Sequence, residues 1–461
     1  MPALTRRAFL THGCSLGMAS ATVSGSLLQL GLARTAAANT AGDYGALVCI
    51  LLAGGNDSYN MLLPSDADQF AEYQSIRADL ALSEAELLPL AGTTADGRQL
   101  ALHPGMPEVQ SLYASGDLAF VANVGTLIEP VDAAAVDAGT ARLPLGLFSH
   151  SDQIAQWQTA LPDRRAAQGW GGRVSDLLQP ANLANGLSMN ISLSGNNLFQ
   201  SGGQIAPYAI NATGDGAVRL GSYGDGTNFG SFRQQAVDAL LSVNHEHLLR
   251  REYAGRLRQA IDGQRLFADA LGAATPLTTA FGSDTFSASL RQVARTISAR
   301  DALGANRQTF FITVGGWDHH DEVLANQARM LPQISQGLSA FRDALVELGV
   351  WDCVTTFTIS DFGRTLTSNG RGSDHGWGGH HMVMGGAVSG GEVYGDYPLL
   401  AANSPLDVGR GIYAPTTSVD AYFAELALWL GVERSDLETV LPNVGTFYSP
   451  SSADPPLGFL L

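Results

Sequence analysis

Residues 370–381 read GRGSDHGWGGHH, placing three histidines and an aspartate within twelve residues of a chain that has ten histidines in all. That much imidazole beside a carboxylate, on a stretch too glycine-rich for a helix or an ordinary strand, points to a metal site, an acid/base site or both. Residues 315–321, GGWDHHD, have the same character. In extended backbone Asp318 and His320 point the same way and His319 the opposite way. Asp318 and His320 are therefore candidate metal ligands, and His319 is expected to pack or to support them. In the first stretch His375 and His380 are the candidate ligands. His381 opens an apolar run and reads as core, while Asp374 could orient a ligand histidine.

Two more acids occupy comparable places. Asp57 follows the apolar run Ala46–Ala53 and the turn Gly54-Gly55-Asn56. Asp361 follows the apolar run Val354–Ile359 and Ser360. A lone acid after a strand is usually a turn or cap residue. Three of them, Asp57, Asp318 and Asp361, would aim carboxylates at one edge, because ligands of open α/β sheets bind beyond the carboxyl ends of the strands. Arg364, close to Asp361, could hold an anionic oxygen or form an ordinary ion pair. Asn56 and Asn60 read equally as ligand carbonyls and as turn residues. Mixed carboxylate and imidazole donors suit Zn, Mn or Fe and suit Ca less well, so the expected cofactor is a divalent metal, with Zn, Mn or Ca left open.

The segment Phe148-Ser149-His150-Ser151-Asp152-Gln153 opens a helix that runs through Trp157. Spacing alone makes Ser149 a helix N-cap. The same position, near the positive end of a helix, would suit a nucleophile toward an anionic substrate. Ser149, His150 and Arg364 are the candidate catalytic residues.

These side chains need a scaffold. Apolar runs at 46–53, 118–124, 309–314, 354–359 and 381–384 read as strands buried on both faces, hence as a mainly parallel sheet. Helical periodicity over 286–303 and 325–348 lies between them, and Thr417-Ser418-Val419-Asp420 opens a helix through Leu430. The expected class is α/β. Residues of about 195–280 read as an insertion or cap, with one long charged helix around Phe232–Leu271. His245 and His247, two residues apart, do not share a helix face and read as surface residues.

The N-terminus reads as an address. Thr5-Arg6-Arg7-Ala8-Phe9-Leu10, a weakly apolar run to about Leu32 and Thr35-Ala36-Ala37-Ala38 have the order of a twin-arginine export signal over residues 1–38. A periplasmic or secreted location and the twin-arginine translocase as an export partner are expected. Removing residues 1–38 takes three arginines and no acid, leaving 23 basic against 43 acidic residues. Such a chain repels nucleic acid and anionic membrane surfaces. All the basic residues are arginines, which excludes a Schiff-base lysine and a P-loop lysine. No later apolar run reaches the roughly 18 residues of a membrane span.

Taken together, residues 53–60 (AGGNDSYN), 148–150 (FSH), 315–320 (GGWDHH), 360–365 (SDFGRT) and 372–380 (GSDHGWGGH), with Thr416-Thr417-Ser418, resemble a large bacterial family. Its members are exported by the twin-arginine route, and the family is related to the alkaline phosphatase and sulfatase superfamily. The resemblance spans nearly all of residues 39–461. It implies a three-layer α/β/α sandwich and hydrolysis of an anionic phosphate or sulfate ester by a metal-activated nucleophile. Carried over, Asp57, Asp318, His320, Asp361 and His375 match metal ligands, and Ser149 takes the nucleophile's place. Two departures stand out. Phe362 follows Asp361 where the superfamily often has histidine, so one ligand is either missing or supplied by His380. The Asp318/His320 spacing is also tighter than usual. The expected function is an exported metal-dependent ester hydrolase. The alternatives are a non-catalytic envelope or polymer-binding protein with a degenerate site, and a redox role for a His/Asp-held metal.

Overall fold

The computed structural model describes residues 44–460, apart from 184–185 and 402–403. The export-signal reading of residues 1–38 lies outside the described residues.

The central sheet is built from the runs that are apolar on both faces. Strand β1 is Gly45–Ala53, β2 Leu118–Gly125, β3 Asn190–Ser192, β4 Tyr208–Ala209, β5 Arg307–Gly315 and β6 Val354–Ser360. A hairpin of β7, Arg364–Ser368, and β8, Ser373–His375, follows, then β9, Gly379–Met384, with short β10, Val393–Tyr394, and β11, Thr417–Ser418. The sheet order is β10-β2-β9-β6-β1-β5-β3-β4, with β11 also pairing with β2. β1 lies between β5 and β6, parallel to both. β9 runs antiparallel between β2 and β6, so the sheet is mixed and mainly parallel.

Alternation along β1 divides the core. Ala46, Val48, Ile50 and Leu52 pack on one side with Leu290, Val293, Leu331, Ile334 and Leu338. Leu47, Cys49 and Leu51 pack on the other with Trp170, Val174, Tyr422, Phe423 and Leu426. Each fully buried Leu, Ile or Val contributes about 1.5–3 kcal/mol, which is why this strand is apolar at every position. The covering helices are α3, Trp170–Leu178, and α8, Val419–Leu430, on one face, and α6, Thr285–Ser298, and α7, Val323–Glu347, on the other. The Ser418 side chain caps α8 by accepting from the Ala421 N–H at 3.0 Å. Helix α1, Ala67–Arg77, and helix α2, His150–Thr159, flank the carboxyl ends of the strands.

The single long helix expected around Phe232–Leu271 is two: α4, Asn228–Ser242, and α5, Leu248–Ala273. The break at Val243 to His247 carries His245, Glu246 and His247, largely open to solvent. None of the helices among the described residues is long and apolar enough to cross a membrane.

A histidine–aspartate cluster at the carboxyl ends of the strands

Three segments converge at the carboxyl ends of β1, β5 and β6. Asp318 lies three residues beyond β5 and is the hub. Its Oδ1 is 3.1 Å from His320 Nε2, 3.5 Å from His375 Nε2 and 2.8 Å from Arg364 NH1. Its Oδ2 is 3.4 Å from His150 Nε2. Ligand atoms of His150, Asp318 and His375 all lie within 4.8 Å of one another, a spacing at which one ion could touch all three.

The three imidazoles are oriented alike. His150 Nδ1 donates to Asp361 Oδ2 at 2.7 Å. His375 Nδ1 donates to the Phe148 carbonyl at 2.8 Å. His320 Nδ1 faces Asp374 Oδ1 at 3.1 Å. Each partner is an acceptor only, so each ring carries its proton on Nδ1 and turns the Nε2 lone pair toward Asp318. Backing of this kind on the far ring nitrogen is characteristic of metal-binding histidines. The Nε2 atoms of His320 and His375 stand 2.9 Å apart. Two lone pairs at that distance repel, and a cation or a proton between or beside them relieves the repulsion.

Electrostatics support the arrangement. Burial works against the Asp318 carboxylate, but Arg364, His320 and His150 together hold its pKa below the usual value. Burial pushes Asp361 the other way, upward, against the Gly54 N–H and His150. Burial also lowers His375, favouring the neutral ring a metal requires. Burial opposes the Asp374 charge as well, yet hydrogen bonds from Asn369, Arg410 and His320 keep its carboxyl well below the ordinary range.

The glycines that made residues 370–381 unusual have a steric function. A Cβ on Gly372 would lie 2.5 Å from the His319 carbonyl oxygen, and one on Gly376 would lie 2.7 Å from the Arg364 carbonyl carbon. The β7–β8 hairpin thus lies directly on residues 319–321, which brings His375 to His320.

The structure gives several candidates other tasks. Asp57 is fully buried, and its Oδ2 is held by Arg77 at 2.7 Å and by the Ser373 hydroxyl at 2.8 Å. Fully enclosed with Arg77 and Ser373 and bonded to none of the three imidazoles, Asp57 anchors the turn after β1 instead of joining the cluster. His380 is also withheld from it. Its Nδ1 accepts from the Asn123 N–H at 3.1 Å, its ring stacks on Tyr397, and burial lowers its pKa to about 3. Asp361 spends both oxygens on Gly54 N–H and His150, so it orients a histidine. Arg364 has a fully buried side chain whose two terminal nitrogens bond Gly54 O, Asp318 and Ser373 O, which fastens Asp318 in place. His150 moves from the catalytic set to the cluster. His319 is buried against Trp317, as expected, and His381 lies in the core beside Trp157.

Ser149 occupies the N-cap position of α2, yet its side chain makes no capping bond. Its Oγ stands 3.2 Å from Ser151 Oγ instead. Phe148, just before it, has φ +71°, a costly conformation for a bulky residue. That turn delivers the Phe148 carbonyl to His375 and the adjacent His150 to Asp361. The spacing rules found Asp318, His320 and His375, whereas nothing local marked the backbone carbonyl of Phe148.

The fold and site together define an α/β protein whose central strands present a histidine–aspartate cluster at their carboxyl ends. Residues 44–433 match the model of a family described as a protein of unknown function, DUF1501, and the chain belongs to that family. No curated protein matches it. Among solved structures it is similar to two crystal structures of Ps i-CgsB, one of them in complex with k-i-k-neocarrahexaose. The identities are 10% and 11% and the TM-scores 0.35 and 0.33, and in both cases 88% of this chain and 78% of that chain are covered.

Proposed function

We propose that the protein is an exported, metal-dependent hydrolase of phosphate or sulfate esters. The observation that carries this reading is the common orientation of three imidazoles, each with Nδ1–H committed to an acceptor and Nε2 turned toward Asp318. His150, Asp318 and His375 would hold the ion. A set of nitrogen donors and one carboxylate suits zinc, whereas calcium takes six to eight oxygens. Three protein ligands with a further position open is the pattern of a catalytic zinc and not of a structural one. Such an ion would polarise the ester oxygens and stabilise the charge that develops on them.

The chain's own groups supply the rest. Ser149 lies next to His150 at the N-terminus of a ten-residue helix, where partial positive charge favours an anion. Its Oγ would bond to phosphorus or sulfur as the ester oxygen departs. The Ser149 proton leaves with the alcohol, and His320, with its side chain 47% exposed, would carry it. Water then cleaves the serine ester, releasing phosphate or sulfate and restoring the hydroxyl.

A second reading, a polymer-binding protein with a degenerate site, is favoured by one observation: the polar partner of Ser149 Oγ is Ser151 and not the cluster. One experiment separates the two. The mature chain is assayed for bound metal and for turnover of 4-nitrophenyl phosphate and 4-nitrophenyl sulfate, alongside Ser149→Ala and His375→Ala. The hydrolase reading expects bound zinc and turnover, with turnover lost in both variants and zinc lost only in His375→Ala. Bound zinc without turnover supports the binding protein. Turnover in a metal-free sample overturns both.

A further inference from the structure

The helical hairpin formed by α4 and α5 carries a concentration of exposed apolar side chains. Phe229, Phe232, Leu240, Val243, Leu249 and Tyr253 are each more than half exposed, and Leu248 joins them. Phe229, Phe232 and Leu240 recur at i, i+3 and i+11, so they share one face of α4, and Val243 follows as its C-cap. On α5, Leu249, Tyr253 and Leu257 follow every four residues. Between the two helices lies a groove of about 660 Å³, lined in part by Val237, Leu241 and Leu257. The buried residues of α5, from Ile261 to Leu271, all belong to its second half. The first half and α4 therefore hold out an apolar face that the described residues leave uncovered. A face of this size on an exported protein marks an interaction site.

We infer that this face is covered by the same face of a second copy, giving a two-fold dimer closed by a four-helix bundle. Two features select that occupant. The first is area: seven such side chains, at roughly 100–150 Å² each, expose about 800 Å², close to one partner's share of a standard protein interface. The second is charge. The chain carries a net −17, so its acidic surfaces repel another copy. Residues 228–273 hold six arginines against five acids, so two hairpins meet without that repulsion. A two-fold axis also matches each apolar stripe with itself, as an isologous contact requires.

The test is the solution mass of the mature chain by sedimentation at about 1–100 μM, a range that resolves ordinary dimer affinities. The wild type is expected at the mass of two chains. Phe232→Glu combined with Leu249→Glu is expected at the mass of one, with association weakened at least about a hundredfold. Each single chain of the variant should keep the wild-type far-UV circular dichroism, because both side chains are exposed on one chain, while its melting temperature falls by the stabilisation that association had supplied. Should that double variant fail to fold, Leu240→Cys in the otherwise native chain replaces it: a short bis-maleimide is expected to link copies through residue 240. A wild type that stays at one-chain mass overturns the inference, as does a dimer that survives the double substitution or an absent cross-link. A one-chain wild type that floats with phosphatidylglycerol vesicles assigns the face to lipid instead.

Discussion

Asp361 and His150 lie 211 residues apart in the chain, and a 2.7 Å hydrogen bond joins Asp361 Oδ2 to His150 Nδ1. The carboxylate comes from the end of β6 and the imidazole from the first turn of α2. This bond decides which nitrogen of His150 faces Asp318. Replacing Asp361 by asparagine puts an amide, able to donate, where only an acceptor stood. The ring is then free to carry its proton on Nε2, where a metal would bind. Zinc affinity of Asp361→Asn is expected to fall about 10–100-fold, measured by calorimetric titration of metal-stripped protein. An unchanged affinity would detach Asp361 from the site.

Asp57 makes the opposite prediction. Its buried pairing with Arg77 is a matter of stability. Asp57→Ala leaves a guanidinium buried and uncompensated, which costs about 3–5 kcal/mol. Urea unfolding should show that loss, while folded protein retains the zinc content of the wild type. Zinc lost at unaltered stability would return Asp57 to the ligand set.

What could be read from the chain follows from which signals are local. β1, β2, β5 and β6 were legible because strands buried on both faces must be apolar throughout. β7 and β8 were not, since Arg364, Thr365, Asp374 and His375 form a polar hairpin whose partner is the site itself. Asp318, His320 and His375 could be found by residue type and spacing. Asp57 looked identical to Asp318 in sequence, each an acid after an apolar strand. What separates them is their surroundings in the folded chain: Asp57 is enclosed with Arg77 at 2.7 Å, whereas Asp318, 45% exposed, faces three imidazoles besides Arg364. The break in the long helix was hidden because Val243 to His247 contains neither glycine nor proline.

The stability of the protein should depend on pH through Asp420. This carboxyl sits in the first turn of α8 with no exposure, and its Oδ1 has no hydrogen-bond partner. Burial raises its pKa to about 7, against weaker opposition from Asn443 and Arg173. Between its unfolded value, near 4, and about 7 the folded chain keeps a proton that the unfolded chain has released. Its contribution is therefore most favourable below pH 4, declines as pH rises to 7 and is level above. Asp420→Asn removes the decline. The stability difference between variant and wild type is expected to grow from pH 4 to 7 and to reach roughly 1–3 kcal/mol in favour of the variant at pH 8. Denaturant curves across that range check it; a pH-independent difference would contradict the linkage.

Gly54 tests whether the cluster depends on close backbone approach. Its φ is +121°, which only glycine adopts readily, and an added Cβ would lie 2.4 Å from the Asp318 backbone nitrogen and 2.8 Å from the Trp317 carbonyl carbon. Gly54→Ala must therefore push Asp318 away from the turn after β1, where the Gly54 N–H also holds Asp361. Gly97 supplies the comparison. It too has positive φ, +86°, but nothing lies within 4 Å of its added Cβ. Gly97→Ala should lose about 1–3 kcal/mol of stability from backbone strain alone and match the wild type in a zinc titration. Gly54→Ala should suffer the same strain and bind zinc at least about tenfold more weakly, since ligand positions fixed to within about 0.5 Å are disturbed. Equal zinc affinities in the two variants, measured on folded protein, would show that the approach of β1 to Asp318 is a packing detail and that the cluster is held by its side-chain bonds alone.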